Sequence, residues 1–401
     1  MKEGAIHGVE DKERIAGERR FELQTPREFR DDFVEEMKTA PQIGLETMQL
    51  EVCEETAPIF EGMIAAHERG ARVGMFYDRV ARQHVRVAGG EGWMNAGIRV
   101  ATGDKKAVHA AFDEREEMIA RMERLGIVYP RMSVKDRLSA GYALQTVMWG
   151  EPPKSNDDRR GSHHDHIKLA VSNRAAWLKT MNLRAEDFEI SNVALKITDP
   201  LWVADLHEVF TMRENQRLTE DRVFAHEEDP DNQILFDAGV KGQSVIYDRA
   251  VEMVGSLKRG DEFTYIGQWP PVKMLFGELS EQFDAAAARE ARGTFLVNSR
   301  DTLHSLSRRA SHAIQWGLNH KYGSNPNITV ENLPRDTHVK ALLIKRATGE
   351  METMIGSHNM SSWTVGHGTR ELSVWSQDPE VTGQVDDYVI SLRNEIGYVR
   401  L

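Results

Sequence analysis

A histidine and a lysine two residues apart occur twice in this chain of 401 residues, and each pair opens the same pattern. The downstream copy, Asp336–Trp375, reads DTHVKALLIKRATGEMETMIGSHNMSSWTVGHGTRELSVW. His338 and Lys340 lead into the apolar run Ala341–Ile344. Side chains two apart on a strand share a face, so the pair can address one ligand together. Thr348-Gly349 supplies turn chemistry and Met351–Ile355 reads as the returning strand. That strand runs into Gly356-Ser357-His358-Asn359, which sets Ser357 and Asn359 on one face. An imidazole, an ammonium, a hydroxyl and an amide brought to one point suit a phosphate.

One such copy occurs by chance in many proteins, and a lone histidine on a strand is more often structural. The second copy carries the weight. In His166–Asn182, His166 and Lys168 repeat the spacing, Leu169–Val171 is apolar, and Ser172-Asn173-Arg174 reads as a turn. Ala175–Leu178 returns, and Thr180 and Asn182 repeat the spacing of Ser357 and Asn359. The second copy is longer between histidine and asparagine, which fits a longer hairpin tip around Arg346–Glu352. A constellation repeated about 170 residues apart points to duplicated halves that share one site.

These paired motifs resemble the phospholipase D superfamily, whose signature is HxK, an aspartate, then GSxN, present twice. They resemble in particular its bacterial cardiolipin synthase-like branch. The resemblance covers nearly the whole chain after an N-terminal tail. It departs at the motif aspartates, replaced by Asn173 and Lys345, and at the first GSxN, which is KTMN here. It implies an α/β fold of two pseudo-symmetric halves, each a mixed, largely parallel β-sheet flanked by helices. It implies a phosphodiesterase or phosphatidyltransferase acting on phospholipid through a phosphohistidine. Nuclease or other phosphodiesterase activity, and a degenerate non-catalytic member, stay open as alternatives.

By the same resemblance His166, Lys168, Asn182, His338, Lys340 and Asn359 form the catalytic set, with His166 as nucleophile and His338 as acid. Thr180, Ser357 and Glu371 complete the surroundings of the substrate, the two hydroxyls holding phosphate oxygens. Glu371 begins a strand after the second motif, where an acid would orient the motif histidine; a surface acid at a strand edge is the competing reading. No metal or cofactor is implied, because the lysines supply the charge that Mg²⁺ supplies elsewhere. Asn173 keeps hydrogen-bonding capacity without charge, and Lys345 would repel an imidazolium if it pointed inward.

Composition bounds the partners. The chain is 40% hydrophobic and 28% charged, with a net charge of −12. That charge disfavours bulk attraction to nucleic acid or anionic membranes while leaving room for a local basic pocket. No apolar run approaches the ~20 residues needed to span a bilayer, so any membrane contact is expected to be peripheral. The charged N-terminus lacks the apolar core of a signal peptide. The single cysteine, Cys53, excludes an intramolecular disulfide, fits a reducing cytoplasm, and reads as a small buried hydrophobe. The sequence does not specify an oligomeric state.

The expected organisation is a tail over 1–28, a first half over 29–212, a polar linker over 213–232 and a second half over 233–401. In the first half, helical spacing marks Pro26–Met37 and Ala57–Arg69, and strands are expected at Ile43–Val52 and Arg72–Tyr77. Strand–helix–strand order there implies parallel pairing. In the second half, helices are expected at Gln243–Leu257, Val272–Ala288 and Thr302–Leu318, and strands at Glu262–Gln268, Gly293–Asn298 and Ile328–Leu333. Ser162-His163-His164-Asp165-His166 invites a metal reading. Adjacent residues on an extended chain point to opposite faces, so flanking loop residues are the plainer reading. Trp269-Pro270-Pro271 or Trp363 could line an apolar entry for lipid, or belong to the core.

Overall fold

The computed structural model describes residues 20–47, 50–77, 117–128, 164–214, 220–268, 271, 273–298, 316–333 and 335–399. Arg131–Arg160, His163, Trp269-Pro270 and most of the helix expected at Thr302–Leu318 lie outside the described residues.

The first half contributes β1 (Phe21–Gln24), β2 (Gln42–Thr47), β3 (Arg72–Tyr77), β5 (Leu169–Ser172), β6 (Ala176–Lys179) and β7 (Ala194–Ile197). They form a sheet in the order β1-β7-β6-β5-β2-β3. The second half contributes β8 (Arg222–His226), β9 (Asp229–Ala238), β10 (Glu262–Gly267), β11 (Arg292–Asn298), β12 (Ile328–Leu333), β13 (Ala341–Lys345), β14 (Met351–Gly356) and β15 (Thr369–Ser376). Their order is β12-β11-β10-β13-β14-β15-β9-β8, and the two-residue strand β4 (His164–Asp165) lies beside β15. Two mixed sheets flanked by helices are as expected. Parallel pairing does not predominate among the described strands, however: there it occurs at β2–β3, β10–β11–β12 and β4–β15. Each motif is a hairpin, β5–β6 or β13–β14, and its return strand pairs antiparallel with β7 or β15. The strand–helix–strand units therefore fill only one flank of each sheet.

Both motif hairpins are buried on both faces, which is why β5, β6 and β13 read as near-continuous apolar runs rather than alternating ones. One cluster joins the facing sides of the two sheets. It takes Leu169 and Leu178 from one, Leu343 and Ile355 from the other, and packs in Trp202 and Phe210 of the helix Pro200–Glu214 and Val385 of the helix Pro379–Val399. Phe210 lies so close to β2 that a Cβ on Gly44 would come within 2.7 Å of its ring. The outer face of the first sheet is covered by the helices Pro26–Met37 and Ala57–Glu68 and a helical segment at 117–124. The outer face of the second is covered by Val245–Gly255 and Lys273–Ala288.

Two expected irregular segments are ordered parts of this frame. Residues 20–28, assigned to the tail, hold β1 and a helix start in which Thr25 and Glu28 form a reciprocal capping box ahead of Pro26. The acidic linker over 213–232 contains β8 and the start of β9. Its charges have long-range partners that a local reading cannot see. Asp229 accepts from Trp202 Nε1 at 2.7 Å, Asn232 Nδ2 at 2.9 Å and Arg20 Nη1 at 3.1 Å. Arg20 also reaches Asp378 at 2.9 Å, tying the N-terminal strand to the second half. Cys53 is half-buried rather than buried, with its Sγ 3.3 Å from Thr56 Oγ1.

Arg20→Ala should lower the unfolding free energy by about 1–3 kcal/mol, since it strips a charged donor from the buried Asp229. Arg30→Ala, which removes only a pair with the exposed Asp31, should cost less than about 0.5 kcal/mol. Urea unfolding of the two variants checks the contrast; equal losses would remove the tie as a cause.

Candidate active site

Each motif histidine is held by the other half of the molecule. β4 runs parallel to the start of β15, with Arg370 opposite Asp165, and the His166 N–H donates to Arg370 O at 3.0 Å. Reciprocally, Ser191 bridges Thr337; Ser191 N–H donates to Asp336 O at 2.9 Å and His338 N–H to Ser191 O at 3.1 Å. The two imidazole rings therefore meet at the junction, with centroids 6.3 Å apart and planes at 79°.

The same pseudo-two-fold relation orders the groups around them. Lys168 Nζ donates to His166 O at 2.9 Å, and Lys340 Nζ donates to His338 O at 2.6 Å. Thr180 N–H and Ser357 N–H donate at 2.9 Å to Val193 O and Leu372 O. Thr180 Oγ1 donates to Asn192 Oδ1 at 3.1 Å, as Ser357 Oγ donates to Glu371 Oε2 at 2.5 Å. Asn182, buried, and Asn359, half-buried, follow at equivalent places. The hydroxyls of Thr180 and Ser357, expected to hold phosphate oxygens, donate here to Asn192 and Glu371.

Asn192 and Glu371 are where the halves differ. Glu371 is fully buried, and its Oε2 lies 3.0 Å from His166 Nδ1. Asn192 instead donates Nδ2 to Asp187 O at 2.9 Å, and His338 Nδ1 finds no hydrogen-bond partner among the described residues. The substituted motif aspartates play no part in this. Asn173 is exposed at the hairpin turn, and Lys345 ends β13 with its Nζ 2.7 Å from Asp386. Both sit at the distal ends of strands that start at the lysines, so neither can hold or repel an imidazole.

Burial dominates the electrostatics. It pushes the His166 imidazole down to about 4; Glu371 opposes that fall and Lys168 adds to it. Burial also drives His338 well below its ordinary value, helped by Lys340, Lys168, His166 and Arg184. Lys168 falls to about 8 for the same first reason. Burial would raise Glu371, but His166, His358 and Lys168 outweigh it and hold the carboxyl down at about 2. An ionised Glu371 can only accept, so His166 carries its proton on Nδ1 and presents the Nε2 lone pair.

Two cations escaped the sequence reading. Arg184, two residues after Asn182, is gripped by Asp187 at 2.8 Å and Glu186 at 2.5 Å, and its charge reaches His338 and Lys340. Lys179 stands where the second half has Gly356. It is fully buried over the Phe29 ring at 5.2 Å, and its Nζ has no hydrogen-bond partner among the described residues. The KTMN departure was its only sequence signal. His164, expected in a flanking loop, is in β4. Among the described residues no group of three or more His, Cys, Asp or Glu could hold a metal ion.

Both histidines titrate lower in the folded chain than the ~6.5 of an unfolded one, so the unfolded chain binds more protons as pH falls through this window. Their contribution is complete above about pH 6.5 and is lost as pH falls toward about 4. The thermal midpoint should therefore climb across that range. It should climb less steeply in the His166→Gln/His338→Gln double variant, and parallel slopes would contradict the assigned shifts.

No protein-family model matches the sequence, and no curated protein matches it. Solved structures do. The phosphatidylserine synthase of Haemophilus influenzae Rd KW20 is 10% identical, with a TM-score of 0.60, over 94% of this chain and 86% of that one. The polyphosphate kinase of Porphyromonas gingivalis is 13% identical, with a TM-score of 0.52, over 92% of this chain and 49% of that one. This chain thus spans about half the length of the kinase. The likeness is one of fold: two sheets flanked by helices, which this chain shares with the synthase over most of both chains.

Proposed function

We propose that this chain is a phosphodiesterase or phosphatidyltransferase that acts on phospholipid through a phosphohistidine. The observation that carries the reading is the meeting of His166 and His338, 6.3 Å apart, with a carboxylate behind only one of them among the described residues. A phosphorus atom between the rings faces a nucleophile on one side and an acid on the other.

In the first step Nε2 of His166 attacks phosphorus and the bond to the leaving alcohol breaks. The departing oxygen takes the proton of His338. Glu371 holds the attacking tautomer and balances the positive charge that develops on the ring. His338 has no carboxylate behind it and cations around it, which makes its protonated form a strong acid. The charge of a bound phosphodiester opposes those cations and favours that protonated form. In the second step His338 takes a proton from water or an alcohol, whose oxygen attacks phosphorus, and the P–N bond breaks back to His166. Lys168 and Lys340 face the non-bridging oxygens, and the amides of Asn182 and Asn359 donate to them.

A net charge of −12 weighs against a nucleic-acid substrate. A phosphatidylserine synthase shares the fold over most of both chains, which favours phospholipid. Among the described residues no helix is long and apolar enough to cross a membrane, so contact with lipid would be at the surface.

Turnover should be highest on phosphatidylglycerol vesicles, lower on a chromogenic diester, negligible on single-stranded DNA, and unchanged by EDTA. Preference for DNA would overturn the substrate class. His166→Gln and His338→Gln should each lower turnover by about 10³-fold or more. With a nitrophenyl diester, whose leaving group needs no acid, His338→Gln should still release a stoichiometric burst and gain phosphoryl mass on residue 166. A burst in His166→Gln instead would reverse the two roles.

A further inference from the structure

The two motif histidines are not held equally. His166 Nδ1 has Glu371 Oε2 at 3.0 Å, whereas His338 Nδ1 finds no hydrogen-bond partner among the described residues. The backbone ahead of each ring differs too. His164 and Asp165 lie beside Thr369 and Arg370 in a two-residue ladder. Thr337 makes an isolated bridge to Ser191 instead. The direction of the His338 ring therefore rests on how its backbone is fixed.

Asn298 supplies what a ladder would. It ends β11 opposite Leu333 of β12 and is 6% exposed. Its Nδ2 donates to Thr337 O at 3.2 Å, and Thr337 N–H donates back to its Oδ1 at 2.8 Å. A side-chain amide carries a donor and an acceptor, as a peptide group does, so this exchange copies the one between hydrogen-bonded residues of two antiparallel strands. Thr337, itself buried, also uses its hydroxyl: Oγ1 donates to Ser191 O at 3.0 Å and accepts from Val339 N–H at 3.1 Å. Ser191 O takes the His338 N–H as well, at 3.1 Å. Ser191 thus grips the segment from the first half and Asn298 grips it from the second.

The side-chain type matters. An ionised aspartate could accept from Thr337 N–H but would set a second acceptor against Thr337 O, and an aliphatic residue could bond neither. Without the amide, a buried peptide N–H and C=O lose their partners, and the segment must shift to find others.

We propose that Asn298 is a positioning residue: its amide stands in for a strand beside Thr337 and so fixes the ring of His338 against the leaving oxygen. This deepens the reaction proposed above and rests on it. Asn298 does not touch the phosphate; it acts through the backbone of the residue before the acid. A ring displaced by about 1 Å can lose ~10²-fold in rate, and that loss falls on the step that needs the acid.

The test uses Asn298→Ala in the full chain, checked for native circular dichroism and thermal midpoint. Asn327→Ala is its control: Asn327 Nδ2 donates to Ala287 O at 3.1 Å, at the other end of the same sheet. Turnover of phosphatidylglycerol, whose alcohol needs a proton to leave, should fall about 10²-fold in Asn298→Ala. The burst rate with a nitrophenyl diester should stay within about threefold, since that leaving group needs no acid. Amide hydrogen exchange should rise about tenfold or more at Thr337 and His338 and stay unchanged at His166. Asn327→Ala should show neither the substrate split nor the local rise. Asn298→Gln, which keeps donor and acceptor one methylene further out, should show the same split with a smaller loss; it serves if Asn298→Ala does not fold. Equal losses on the two substrates, or unchanged exchange at Thr337 and His338 in the folded variant, overturn the inference. If the parent turns over no diester, the proposed reaction fails, and the exchange rates still decide whether Asn298 holds His338 in place.

Discussion

The site exists because two short backbone exchanges join the halves: His166 N–H to Arg370 O, and His338 N–H to Ser191 O. A backbone hydrogen bond fixes the start of a strand more firmly than a side-chain contact, since few torsions separate it from the ring it carries. The first exchange also places the residue after its acceptor, Glu371, behind the opposite imidazole. The buried cluster that fills the space between the sheets holds the two exchanges at a constant separation. Packing supplies the rigidity, and the exchanges set the register.

A symmetric frame then carries an asymmetric charge distribution. Strand register, lysine-to-carbonyl bonds and hydroxyl placement repeat from half to half. The side chains that decide proton affinity do not. One ring has a buried carboxylate 3.0 Å away. The other has an amide turned aside toward Asp187. In the reaction proposed above, that difference is what would make one of two chemically equal imidazoles a nucleophile and the other an acid.

Where the motifs depart from the signature they resemble, position gives the departures physical meaning. Asn173 and Lys345 lie a full strand away from the rings, so losing aspartate there leaves the histidines as they are. Lys179 is more consequential. At its counterpart Gly356, a Cβ would come within 2.4 Å of Leu372 O, leaving no room for any side chain. The first half opens that position under Phe29 and holds an ammonium there, which burial and the neighbouring Lys168 push down to about 7.

The spacing of His166 with Lys168, His338 with Lys340, and the two asparagines was legible in the sequence because strand geometry is local: a period of two places such residues on one face whatever surrounds them. Most helices and strands were legible for the same reason, Pro26–Met37 through its four-residue apolar spacing. Pairings with distant partners were not. The acidic stretch before β9 looked like solvated linker because Trp202 and Arg20, which engage Asp229, are remote in the chain. The bias toward antiparallel pairing followed from hairpins joining across the sheet, and the carboxylate behind one histidine came from Glu371, 205 residues beyond His166. Local backbone periodicity determined which groups could act together; only long-range packing decided which of them carry charge, because burial and a partner's distance set proton affinity.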